Sequence, residues 1–421
     1  MSGQPDVGER LERVEASLGR LAEYLDGLPQ AEPKVRDPFE EGRRLQQAEQ
    51  HEAAIAEFEK AFAAAKNDSQ RCALHLLIGN SFYRLSRLQE AEDRYREALD
   101  AAQRAKDREG QAAALANVGL VYADRGELDK AEEHHKKSLA IHEESGNRPV
   151  QAKTLGNLAN LYADRGEVDK AEQYHEKALA MFRQMGNRLG EAHALNNLGI
   201  VYVQSNDLDK ARGRFKQALQ IHREIGDEVG QAKVLANLGN AYLERSEFQP
   251  AADHFKRALE IHEQIGNRLG QAQQFSSLGF VHALRADWDQ AEQYHKKALA
   301  VFEDTGDRLR QASVLGNLAN VYQARGELDK AEKHHKKALD IDRQIGNKLG
   351  QAQDLANLGL VQLDRRNLPD ALRSLREGRR IFAEVGASAD AQKADELIHA
   401  LEAPTSPKPK RPRKKPPPKK P

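Results

Sequence analysis

Apolar and polar residues alternate along this chain with the period of a helix. Leu115, Val118, Gly119 and Tyr122 fall at i, i+3, i+4 and i+7, which places them on one helical face. Asp124-Arg125-Gly126 reads as a turn. Leu128, Ala131, His135, Leu139 and His142 then resume helical spacing, and Gly146-Asn147 closes the second helix with glycine as its C-terminal stop. This predicts a pair of antiparallel helices. Pro149, Pro250 and Pro369 each fall where a new helix is expected to begin, and proline is tolerated in a first turn.

The unit recurs every 40 residues. Gly119, Ala159, Gly199, Gly239, Gly279, Ala319 and Gly359 form one column of small residues. Ala131, Ala171, Ala211, Ala251, Ala291, Ala331 and Ala371 form a second, and small residues in both let paired helices approach closely. Tyr122, Tyr162, Tyr202, Tyr242, His282 and Tyr322 form an aromatic column. Earlier copies pair Gly79 with Ala91 and Gly42 with Ala54. Nine copies are expected, over residues 38–386. A helix pair cannot bury its apolar stripe alone, so the copies must stack into a solenoid with a groove lined by the first helices.

These residues resemble the tetratricopeptide repeat family, and the likeness covers 38–386. Two features depart from the family pattern. Leu115, Leu155 and Leu195 stand where the family commonly has Trp, and Gly-Asn or Gly-Asp replaces the closing Pro. The 40-residue period, against about 34 in the common form, with joints such as Gly266 to Ala272, is similar to the subclass of Pins-type adaptors and rapsyn. The resemblance implies an all-α, right-handed superhelical solenoid of nine helix pairs that holds peptide segments in its groove. No segment resembles a second Pins-type module or a G-protein-binding motif, so that subclass's specific partners do not follow.

Outside the repeats, Val7, Leu11, Val14, Leu18, Leu21, Leu25 and Leu28 alternate spacings of 4 and 3, a heptad pattern within residues 1–30. Two readings stand: a short coiled coil that makes a homo-oligomer through 7–28, or a helix docked on the first repeat. Residues 31–37 are read as a linker. Residues 387–402, with Ala394, Leu397, Ile398 and Leu401 on one face, are read as a helix capping the last repeat.

Composition sharpens this picture at the C-terminal end. The chain has 421 residues, 65 Lys and Arg against 65 Asp and Glu, and so no net charge. Yet Lys408, Lys410, Arg411, Arg413, Lys414, Lys415, Lys419 and Lys420 crowd into residues 403–421 with eight of the 15 prolines and no acid. Without them, 57 basic residues face 65 acidic ones, a net of −8. A disordered basic tail is expected after an acidic body. Its first six basic residues are candidates for binding nucleic acid, another anionic surface or the acidic body itself. A purely solubilising tether is the alternative. The segment also resembles a nuclear-localisation signal. The beginning of the chain lacks the charge and apolar pattern of a secretory signal, and no apolar run reaches about 18 residues. A cytoplasmic protein is expected, nuclear where the cell has a nucleus.

The chemistry is sparse. One cysteine, Cys72, excludes a disulfide framework and a multi-cysteine metal site. No P-loop, nucleophile elbow, HExxH motif or EF-hand loop occurs. No enzyme activity, cofactor or metal is therefore expected. Histidines such as His135, His175, His295 and His335 share a column with Phe215 and Phe255, which reads as packing. Lys136, Lys296 and Lys336 follow Glu132, Glu292 and Glu332 by four residues, which reads as surface ion pairing.

The asparagine column is the candidate site. Asn117, Asn157, Asn197, Asn237, Asn317 and Asn357 lie on first helices, with Asn160, Asn240 and Asn320 three positions later in every second repeat. A carboxamide donates and accepts hydrogen bonds, so a row of them can hold an extended backbone without demanding one sequence. The resemblance implies this role, since first-helix positions commonly hold peptide in the family. Lys153, His193 and Lys233 lie one turn earlier and could select acidic groups. The expected function is a protein–protein adaptor. The alternative is a peptide-sensing regulator whose solenoid changes shape.

Overall fold

A computed structural model describes residues 33–48 and 50–402, and every regular element among them is an α-helix. The heptad segment at 7–28 and the basic tail lie outside the described residues. The chain divides into two compact units, Met1–Asn237 and Leu238–Pro421.

In the first unit the helices come in pairs: α1 Pro33–Gln47 with α2 His51–Ala64, α3 Asp68–Arg84 with α4 Leu88–Arg104, and α5 Arg108–Asp124 with α6 Leu128–Ser145. Next come α7 Arg148–Asp164 with α8 Val168–Gln184 and α9 Arg188–Gln204 with α10 Leu208–Glu224. The division falls within α11, Glu228–Glu244. The second unit continues with α12 Phe248–Gln264, α13 Arg268–Leu284 with α14 Trp288–Thr305, and α15 Arg308–Ala324 with α16 Leu328–Gln344. It ends with α17 Lys348–Asp364, α18 Leu368–Glu384 and α19 Ser388–Glu402. Within each unit, helices pack against their partners in a pair and against the next pair, and first helices touch between α3 and α5, α7 and α9, α13 and α15, and α15 and α17. This is an all-α, tetratricopeptide-like solenoid, as the repeat predicts.

One boundary differs from the sequence reading. α1 begins at Pro33, inside the expected linker, because Val35, Phe39 and Gly42 are buried at helical spacing and carry the helix back one turn.

The small column does what its spacing suggests. The ring or branched side chain sixteen residues later packs directly on it: Tyr95 on Gly79, His135 on Gly119, Phe215 on Gly199, Phe255 on Gly239 and His295 on Gly279. His135 and His295 are buried, and burial pushes the His295 imidazole down to about 4, so it is a neutral packing group at neutral pH.

The Gly-Asn joints have three separate jobs. The first glycine takes a left-handed conformation, as at Gly186 with φ +66°. Asn187 then caps α9, its side-chain oxygen accepting the Gly190 N–H at 2.8 Å. Gly190 leaves room for the Phe182 ring, whose Cδ1 would lie 2.4 Å from a Cβ there.

Tyrosines of the aromatic column tie their repeats to the one before. The hydroxyl of Tyr162 donates to Glu132 at 2.8 Å, Tyr202 to Glu172 at 2.6 Å and Tyr322 to Glu292 at 2.8 Å, each thirty residues back. Lys136, Lys296 and Lys336 pair with Glu132, Glu292 and Glu332 at 2.6–2.7 Å. Burial alone would raise the Glu132 carboxyl, but hydrogen bonds from Lys136, Tyr162 and Arg165 outweigh it and hold the group at about 2. These lysines therefore serve the solenoid surface as ion-pair partners.

Candidate functional site

Six of the residues singled out in the sequence meet in one concavity of about 380 Å³ in the first unit. Lys153, Asn157 and Asn160 come from α7, at i, i+4 and i+7, so they stand on one helical face. His193 and Asn197 come from α9, again one turn apart, and Lys233 comes from α11. The 40-residue period produces this convergence. α7 touches α9, and α11 is joined to α9 through Asn237 and Asn196, so equivalent positions from consecutive repeats become neighbours across the surface.

Small residues make the hollow. Gly156, Ala163 and Ala194 line it where larger side chains would fill it, and Ile200, Val201 and Phe182 supply apolar wall. Lys153, Lys233 and Asp164 place charge around it. His193 is exposed, while Asn157, Asn160, Asn197 and Lys233 are half-buried. The arrangement thus combines apolar contact with amide donors and acceptors and with two ammonium groups, which suits a chain segment carrying carbonyl oxygens and carboxylates.

The remaining asparagines do not join it. Asn117 is 1% exposed, and its amide nitrogen donates to Asn80 Oδ1 at 3.4 Å in the interior. Asn80 Oδ1 also accepts the Tyr95 hydroxyl at 2.8 Å, so this carboxamide pair satisfies a buried tyrosine. Asn117 is accordingly a packing residue and departs from the expected groove position. Asn237 is half-buried and donates to Asn196 Oδ1 at 2.9 Å, joining α11 to α9. Asn240, Asn317, Asn320 and Asn357 belong to the second unit, with Asn240 and Asn320 exposed and Asn317 and Asn357 half-buried. The candidate anion-binding residues Lys408, Lys410, Arg411, Arg413, Lys414 and Lys415 lie outside the described residues. Cys72 is buried in the first unit's core, and burial pushes its thiol up to about 12, far from a reactive thiolate at neutral pH.

The sequence reading missed the apolar part of this site. Phe182 and Gly156 gave no signal, because Phe182 shares its column with His142, His222 and Phe302 and reads as core.

The Tetratricopeptide repeat family pattern matches residues 69–144, 150–224, 190–264, 271–344 and 310–384. The chain therefore belongs to the tetratricopeptide repeat family. Solved structures share the fold at low identity. A signal-transduction ATPase (STAND) protein with a tetratricopeptide repeat sensor from Pyrococcus horikoshii gives a TM-score of 0.58 at 17% identity, over 88% of this chain and 55% of that one. A Rap protein complexed with competence and sporulation factor gives 0.53 at 15% identity, over 87% of this chain and 97% of that one. Aspartyl phosphate phosphatase F from Bacillus subtilis gives 0.53 at 13% identity, over 83% and 94%. No curated protein sequence matches the chain. No helix among the described residues is long and apolar enough to cross a membrane.

Proposed function

We propose that this protein is a non-enzymatic interaction scaffold that holds an extended segment of a partner protein in the concavity of its first unit. The observation that carries this reading is the convergence of Lys153, Asn157, Asn160, His193, Asn197 and Lys233 on one hollow with apolar walls. The asparagines bond the backbone of the segment, the apolar wall takes its side chains, and the two lysines favour acidic residues. A library of displayed unstructured peptides, panned against the full-length protein, tests it. Selected peptides are expected to be net acidic and to lose at least about tenfold in affinity when Asn157, Asn160 and Asn197 are all replaced by Ala, since several lost hydrogen bonds are worth more than about 1.4 kcal/mol together. Unchanged affinity in that variant contradicts the assignment.

A second reading is a sensor whose solenoid changes shape when the segment binds. Its support is the shared fold with a Rap protein solved with competence and sporulation factor and with a STAND protein bearing a tetratricopeptide sensor. Small-angle scattering with and without a selected peptide separates the two: a changed radius of gyration favours the sensor, an unchanged one the scaffold. The basic tail as an anion-binding element and residues 7–28 as an oligomerisation helix belong to the same proposal, tested by salt titration and light scattering on chains lacking each segment.

A further inference from the structure

Three ligand-type side chains from consecutive elements converge at one joint of the first unit: His193 of α9, His222 of α10, and Asp227, which precedes α11. Their donor atoms all lie within 4.8 Å of one another. His222 Nδ1 and Asp227 Oδ2 are 2.8 Å apart. The two imidazole rings stand 5.7 Å centroid to centroid, tilted by 40°. Asp227 Oδ1 accepts the Gly230 N–H at 2.8 Å, which fixes the carboxylate with its other oxygen toward His222. Gly230 keeps the space open, for a Cβ there would lie 2.2 Å from His222 Nδ1 and 2.4 Å from Asp227 Oδ2.

Each residue alone has a structural explanation, and the repeat supplies the comparison that weighs against it. One repeat earlier the same three positions hold Lys153, Phe182 and Asn187; one repeat later they hold Lys233, His262 and Asn267. Phe182 shows that packing does not need an imidazole, and Asn187, which accepts the Gly190 N–H, shows that capping does not need a carboxylate. Among these joints, two imidazoles and a carboxylate coincide only at His193, His222 and Asp227.

We propose that these three residues bind a zinc ion, with a fourth position open to the concavity that His193 lines. Two imidazole nitrogens and one carboxylate oxygen form a borderline donor set that suits zinc. Bonds of about 2.0–2.1 Å in a tetrahedron place donors about 3.3 Å apart. His222 Nδ1 and Asp227 Oδ2 stand 2.8 Å apart and all three donors lie within 4.8 Å, so an ion between them requires those two atoms to part slightly and His193 to close in. The bound ion ties α9, α10 and α11 together beside the concavity.

The test uses the full-length protein, stripped of metal and titrated with Zn2+ by calorimetry and with Co2+ by visible absorption. One ion per chain at micromolar affinity is expected, with the visible bands of tetrahedral cobalt. His193→Gln, His222→Phe and Asp227→Asn are each expected to weaken binding by roughly tenfold or more. His222→Phe reproduces the Phe182 and Gly190 packing of the preceding repeat, and Asp227→Asn reproduces its cap, so unchanged circular dichroism spectra distinguish metal loss from unfolding. Zn2+ is expected to raise the melting temperature of the wild type alone. Absence of saturable binding in the wild type, or wild-type affinity in both folded histidine variants, overturns the proposal.

Discussion

A Cβ on Gly199 would stand 2.5 Å from Cε1 of Phe215, so the Phe215 ring fills the space that a side chain at 199 would need. Gly199→Ala is therefore expected to destabilise the protein by about 1–3 kcal/mol, the usual cost of overpacking a filled core. Gly213 lies on the same helix as Phe215 with nothing within 4 Å of an added Cβ. Gly213→Ala is expected to stabilise by about 0.5–1 kcal/mol, because alanine removes the backbone entropy cost of glycine in a helix. Urea denaturation of the two variants reads opposite signs from one chemical change.

The turns within pairs give a second contrast. Gly126 and Gly166 occupy the left-handed region at φ +74°, where glycine has no steric cost. Ala286 fills the equivalent position at φ +57°. Ala286→Gly is expected to raise stability by about 1 kcal/mol, and Gly126→Ala to lower it by a similar amount. Thermal melts monitored by circular dichroism check both.

Asp342 occupies a column that elsewhere holds Phe182, Phe302 and Phe382. Burial pushes its carboxyl up to about 6, against the hydrogen bond from Asn347 and with the help of the Asp354 charge. The folded state then holds the proton more tightly than the unfolded chain. The contribution to stability is fully present below the ordinary carboxylate pKa and is lost as pH rises through about 6. Asp342→Asn is expected to melt above the wild type at about pH 7.5, by on the order of 1 kcal/mol after allowance for solvent screening, and to lose that advantage near about pH 4. Parallel melts across that range test the sign.

The helices and their boundaries were legible because each repeat states the same solution again: the Gly119 column, the Ala131 column and the glycines that close the second helices, such as Gly146, Gly186 and Gly226, agree forty residues apart. The site was legible only in part. Spacing placed Lys153, Asn157 and Asn160 on one face, which a helix guarantees. It could not show that Asn117, in the same column, turns inward, since that depends on Asn80 and Tyr95 in the preceding repeat. Nor could it bring His193, His222 and Asp227 together, because they belong to three separate elements. The tyrosine-to-glutamate ties stayed hidden for a related reason: Glu132 reads locally as the partner of Lys136, and its second partner, Tyr162, lies in the next repeat.

The central claim is that the first unit's concavity holds a peptide. The most direct measurement places a photo-crosslinking amino acid at Asn197, inside the hollow, or at Lys216, exposed on α10, in otherwise wild-type protein. A peptide recovered by the display selection is then added and irradiated. The account predicts cross-linking from position 197 and none from position 216. Cross-linking from position 216 alone, or equally from both, would contradict it.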